Sequence, residues 1–141
     1  MNAITKEQFI SLLNKDITKE WSAAVQYIQH AAMITGPEYI SIQKELIIHA
    51  NEEIMHSISL TNLITTLDGT VTTEIADRHT DKNSKTMLEQ DLVGEQDAIA
   101  RYKERITQAH TLGEYGVAKI LGDILIMEEE HERDLKSALG Q

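Results

Sequence analysis

Apolar side chains recur every three or four residues through four long stretches of the chain, the period of a helix with one buried stripe. The first stripe is Leu13, Ile17, Glu20, Ala24, Tyr27, Ala31 and Ile34, and the second is Ile42, Leu46, His49, Glu53, His56, Leu60 and Leu63. The third is Leu88, Leu92, Glu95, Ile99, Tyr102 and Ile106, and the fourth is Val117, Leu121, Ile124, Glu128, His131, Leu135 and Ala138. Punctuation is sparse and falls at Gly36-Pro37, Asp68-Gly69 and Gly113 to Gly116. Helix one therefore opens on Thr5-Lys6-Glu7-Gln8, the spacing of a capping box, and runs to about Ile34. Helix two covers about Glu38 to Leu67, helix three about Ser84 to Leu112 and helix four about Glu114 to Leu139. At 1.5 Å per residue each is ~40 Å long, a bundle helix. The Thr- and Asp-rich stretch from about Gly69 to Asn83 is too long for a tight helix–helix turn and reads as a crossover. The expected fold is all-α: one domain over residues 1–141, an antiparallel four-helix bundle with a long crossover between helices two and three.

Each stripe is interrupted near its middle by ionisable residues. Displacing the sequence by 75 positions lays Glu20 on Glu95, Tyr27 on Tyr102, Glu53 on Glu128 and His56 on His131. The apolar positions superpose as well, Leu13 on Leu88 and Leu46 on Leu121 among them, so the chain reads as two copies of one helical hairpin. Packed antiparallel about a pseudo-twofold axis, the hairpins would bring four Glu and two His to one depth in the core. Carboxylates removed from water cost several kcal/mol each unless neutralised. Two divalent cations supply that neutralisation. In Glu-x-x-His the side chains lie one turn apart on one helix face, so the His can hold one metal while its Glu bridges two. This assigns Glu20 and His56 to one ion, Glu95 and His131 to the other, and Glu53 and Glu128 to the bridge. Oxygen-rich ligation with one His per metal favours iron, with manganese as the alternative, over zinc or calcium.

Composition narrows the rest. The 141 residues include no Cys, which excludes thiolate metal sites, disulfide frameworks and thiol catalysis, and fits the cytoplasm. Against 13 Lys and Arg stand 23 Asp and Glu, a net −10 without a basic tail, so a nucleic acid is not an expected partner. The Met1–Ile10 stretch lacks the apolar centre of a signal peptide. The longest uncharged run, Trp21 to Pro37, is too polar to cross a membrane.

The pattern Glu20, Glu53-Ile54-Met55-His56, Glu95 and Glu128-Glu129-Glu130-His131 resembles the ferritin-like di-iron carboxylate proteins over nearly the whole chain. Within that group it is similar to bacterioferritin, through Glu20 with Tyr27 and His30, Leu67-Asp68-Gly69, and Met87-Leu88 with Asp91-Leu92 before Glu95. The resemblance implies a ferroxidase holding two irons per chain, which oxidises Fe(II) with O2 or hydrogen peroxide for storage or detoxification inside a homo-oligomer. It also tilts Tyr27 toward a catalytic role, as a hydrogen-bond donor to a ligand carboxylate or an electron source. Ile54 stands where bacterioferritins carry the haem-ligating Met, so haem is not expected. The chain ends ten residues after His131, without a fifth helix, which suits the di-iron domain of rubrerythrins. A peroxide reductase served by an electron-donor protein is thus the second reading, although Ala98 replaces the extra Glu of that family. A metal-free helical interaction module is the third.

Other candidates have plainer roles. His49 is expected to be a hydrogen-bonded core histidine, and His30, His79 and His110 lie off the stripes, where surface positions are expected. Asp91 fits either an acceptor orienting His131 or a surface carboxylate. Glu52, Glu129 and Glu130 extend acidic, solvated faces, and Trp21 points away from Glu20 into packing or a subunit contact.

Overall fold

The computed structural model describes residues 3–141; the first two residues of the Met1–Ile10 stretch lie outside it. Four α-helices form the molecule: α1 Lys6–Met33, α2 Ile40–Thr66, α3 Ser84–Thr111 and α4 Tyr115–Ala138, with a 3-10 turn over Pro37–Tyr39. No strand is present among the described residues. The ends follow local chemistry. Thr5 and Gln8 close a reciprocal capping box, with Gln8 N–H donating to Thr5 Oγ1 at 3.1 Å and Thr5 N–H to Gln8 Oε1 at 2.9 Å. Asn83 caps α3 by accepting from Thr86 N–H at 2.9 Å. α3 stops where Gly113 takes φ 75°, a left-handed conformation that glycine adopts without penalty.

All stripe residues are buried except Ile106 and Ala138, which are partly so. They form two apolar clusters separated by a polar layer. One holds Phe9, Leu13, Ile17, Leu60, Ile64, Leu121 and Ile124. The other holds Ala31, Ile42, Leu46, Met87, Leu88 and Leu135. The two hairpins, α1 with α2 and α3 with α4, pack so that α1 lies antiparallel to α3. Pairings along that contact run in opposite directions, from Asp16 with Arg105 through Tyr27 with Glu95 to His30 with Asp91.

The crossover lies along α1, held by a polar row with a four-residue step. Asn14 donates to the Thr70 carbonyl and accepts from Thr72 N–H, both at 2.8 Å. The Thr18 carbonyl accepts from Ala76 N–H at 3.0 Å, and Ser22 donates to the Asp77 carbonyl at 2.8 Å. Gln26 accepts from His79 N–H at 2.8 Å, and His30 Nε2 lies 2.9 Å from the His79 carbonyl. His30 is therefore fully buried rather than a surface residue, because its ring joins the crossover to Asp91. His79 and His110 are exposed.

Candidate metal centre

Between the apolar clusters each helix contributes to one polar layer. Glu20 comes from α1, Glu53 and His56 from α2, Glu95 from α3, and Glu128 and His131 from α4, all at most 3% exposed. Ligand-capable atoms of Glu20, Glu53, His56 and Glu128 lie within 4.8 Å of one another, as do those of Glu53, Glu95, Glu128 and His131. Glu53 and Glu128 belong to both sets. The Nδ1 atoms of the two histidines face the carboxylates, His56 at 3.1 Å from Glu128 and His131 at 2.9 Å from Glu53. Tyr102 donates to Glu20 and Tyr27 donates to Glu95, leaving the other oxygen of each acid free.

The centre is not satisfied by protein alone. Glu20 Oε2, both oxygens of Glu53, His56 Nδ1, Glu95 Oε2 and Glu128 Oε1 are buried without a hydrogen-bond partner. Such orphaned groups are rare in folded proteins, and their convergence fits a pair of cations. Protons partly take the cations' place. Burial pushes the Glu53 carboxyl well above the ordinary carboxylate range, with Glu20 and Glu95 adding to it. It does the same to Glu128, reinforced by Glu53 and Glu95. For Glu20 burial acts in the same sense, but the proximity of Glu53 and His56 outweighs it and holds the acid down to about 2. Burial alone would lower both imidazoles; contact with Glu128 and Glu20 raises His56 far above its usual value, and Glu95 raises His131. The phenols of Tyr27 and Tyr102 are driven up by burial and then by Glu95 and Glu20 respectively.

A cavity of about 310 Å³ reaches this layer from the α1–α3 side, beneath the crossover. Lys19, Asp77, His79 and Asp97 line it along with Arg101, and Glu20, Glu53, Glu95 and Glu128 lie at its inner end.

Asp91 serves neither of the roles expected for it. It is 3% exposed and binds His30 Nδ1 and Gln26 Nε2, each at 2.9 Å, and not His131. Its counterpart 75 positions earlier, Asp16, is also buried and binds Arg105 Nε and Arg101 Nη1 at 2.8 Å. Neither pair was apparent from the sequence, although the 75-residue offset aligns all six participants. His49 is buried as expected, but only half satisfied. Its Nε2 lies 3.0 Å from Asp134, Nδ1 has no partner, and its ring stacks on His131 at 4.0 Å. Glu52 is more than a solvated acid, since Oε2 comes 3.6 Å from His131 Nε2. Trp21 packs against the first apolar cluster. Ile54 holds the position after Glu53, and Met55 is 58% exposed.

A four-helix bundle with paired Glu and Glu-x-x-His residues at its centre defines a class of fold, and sequence comparison agrees with that fold. Residues 10–141 match the ferritin-like domain, and the chain belongs to the ferritin-like family. It is similar to a bacterioferritin from Brucella melitensis biotype 1, 33% identical over 139 residues that cover 94% of this chain and 86% of that one. Among solved structures it is similar to a ferritin-like, di-iron carboxylate protein from Bacillus anthracis str. Ames. The TM-score is 0.90 at 28% identity, covering 95% of this chain and 96% of the other. A dodecameric thioferritin from Bacteroides fragilis, a bacterioferritin-related protein, superposes with a TM-score of 0.86 at 28% identity, over 97% of this chain and 87% of the other. No helix among the described residues is long and apolar enough to cross a membrane.

Proposed function

We propose that the protein is a ferroxidase that binds two Fe(II) ions at the central layer and oxidises them for iron storage or detoxification. Family membership supports iron storage and ferroxidase chemistry at the level of the family. The observation that carries the finer reading is the pair of four-residue donor sets sharing Glu53 and Glu128, with both oxygens of Glu53 and Oε1 of Glu128 buried without a hydrogen-bond partner. Glu20 with His56 and Glu95 with His131 would be the terminal ligands of the two ions. Iron is the preferred metal, and the donor set also suits manganese. Each Fe(II) gives one electron, so a pair reduces O2 to hydrogen peroxide as two protons are taken up, or reduces hydrogen peroxide to water.

The chain's own groups prepare this reaction. The cavity between α1 and α3 gives a small oxidant a way to the carboxylates. Tyr27 and Tyr102 fix the orientation of the terminal acids while leaving one oxygen of each for metal. Tyr27 is the proposed catalytic side chain, acting through the hydrogen bond that it donates to Glu95. Assembly into a homo-oligomer is supported by the dodecameric Bacteroides relative and by Ile47, Ile48, Met55 and Ile58, exposed together on α2.

Anaerobic addition of Fe(II) to the metal-free protein should saturate near two ions per chain, and O2 should then oxidise both. Lack of saturation there removes the proposal. The second reading, peroxide reduction with an external electron donor, rests on the resemblance to rubrerythrins, which the Tyr102 hydrogen bond to Glu20 also suits. The two readings separate on iron content after repeated cycles. Storage retains far more than two irons per chain, whereas a reductase keeps two.

A further inference from the structure

The two halves of the metal centre are related by the internal repeat, yet the residues behind the ligands break that symmetry twice in the same direction. Behind the histidines stand Glu52 and Met127, themselves 75 positions apart. Glu52 Oε2 lies 3.6 Å from His131 Nε2, whereas His56 Nε2 faces the Met127 sulfur at 3.4 Å. Both imidazoles turn Nδ1 inward, so Nε2 is the ring atom each presents to its backing residue. A carboxylate facing a ligand imidazole raises its basicity and fixes its ring, whereas a thioether does so weakly.

Behind the tyrosines the difference recurs. Asp16 is held by Arg105 and Arg101, and the Arg101 guanidinium sits 5.5 Å from the Tyr102 ring centroid. Lys19 and Asp97, which also meets Arg101, offset each other at the rim, and Glu104 lies 3.6 Å from Arg105, so the charges balance in number while Arg101 is the cation set against the Tyr102 ring on the Glu20 side. On the Glu95 side the matching positions are Gln26 and His30 around Asp91, with no guanidinium. His49 stacks on His131, whereas its counterpart 75 positions later is the apolar Ile124.

We infer that the centre is built as two unequal metal sites, with the Glu95–His131 half binding a divalent cation more tightly than the Glu20–His56 half and filling first. The inference rests on the two-metal reading above. Carboxylates behind ligand histidines change metal affinity 10- to 100-fold in other proteins, so the two steps should differ by at least about tenfold. In this scheme Glu52 and Arg101 are positioning residues that set the order through His131 and through the field around Glu20.

Co(II) binding to the metal-free protein, followed by calorimetry, should give two steps separated by that factor. Anomalous diffraction at one equivalent should place the ion between Glu95 and His131. Glu52→Gln should weaken the first step about tenfold and leave the second. Met127→Glu and Arg101→Gln should each tighten the second step, a gain that a disturbed fold does not produce. Two steps of equal affinity would overturn the inequality, and a first ion beside His56 its direction; either result leaves the two-metal centre standing. Binding of no Co(II) at all would overturn the centre itself, and with it this ordering.

Discussion

Metal loading should expel protons, up to the number that the four raised ligand-capable groups can hold. In the metal-free centre burial favours the protonated form of Glu53 and Glu128, and the surrounding carboxylates favour that of His56 and His131. Glu20, held down to about 2, has none to give. Two cations replacing as many as four protons release at most about two per ion, so log affinity per ion rises by up to about two for each pH unit, equivalent to ~2.7 kcal/mol. The sign is set by competition: protons occupy the ligands at low pH, and affinity climbs as pH rises toward neutrality. Mn(II) avoids oxidation during the measurement. Calorimetry in buffers of different protonation enthalpy counts the released protons directly, and repeating it across about pH 5.5–7 gives the slope. Release of less than one proton per two ions, or an affinity independent of pH, would refute the reasoning.

The same groups shape stability without metal. Glu53 and Glu128 hold protons that the unfolded chain loses near 4.5, and His56 and His131 hold protons that it loses near 6.5. The urea midpoint of the metal-free protein should therefore fall as pH rises past these values. Glu20 acts oppositely, its contribution fading as pH drops from 4.5 toward about 2. Asp16→Asn leaves two inward guanidiniums poorly paired and should cost about 3 kcal/mol in chemical denaturation, with no change indicating that solvent already screens the network. Gly122→Ala, where an added methyl meets nothing within 4 Å inside α4, should stabilise by ~0.5–1 kcal/mol. Gly69→Ala would press on Ile10 and Ile64 side-chain atoms at 2.7 and 2.9 Å and should destabilise by ~1–3 kcal/mol in the same assay.

The helices were legible because burial is periodic: Leu13, Leu46, Leu88 and Leu121 mark the bundle interior as clearly in sequence as in space. The buried polar layer was legible for a related reason. Glu20 and Glu128 interrupt stripes that otherwise exclude charge, and the repeat pairs them with Glu95 and Glu53. The crossover attachment was not, because Asn14, Ser22, Gln26 and His30 look like any polar helix face until the chain from Thr70 to His79 is laid over them. The burial of Asp16 and Asp91 was hidden likewise. A buried acid is tolerable only with its partners, and those partners stand 61 to 89 residues away along the chain. The inequality between Glu52 and Met127 became visible only once both were seen behind the ligand rings.

X-ray absorption on protein loaded with two equivalents of Fe(II) tests the central claim most directly. Ions sharing Glu53 and Glu128 should show mixed oxygen and nitrogen first shells and a second iron at ~3.5–4 Å. An oxygen-only shell of water-like ligands with no iron neighbour would contradict a buried pair of cations gripped by these acids.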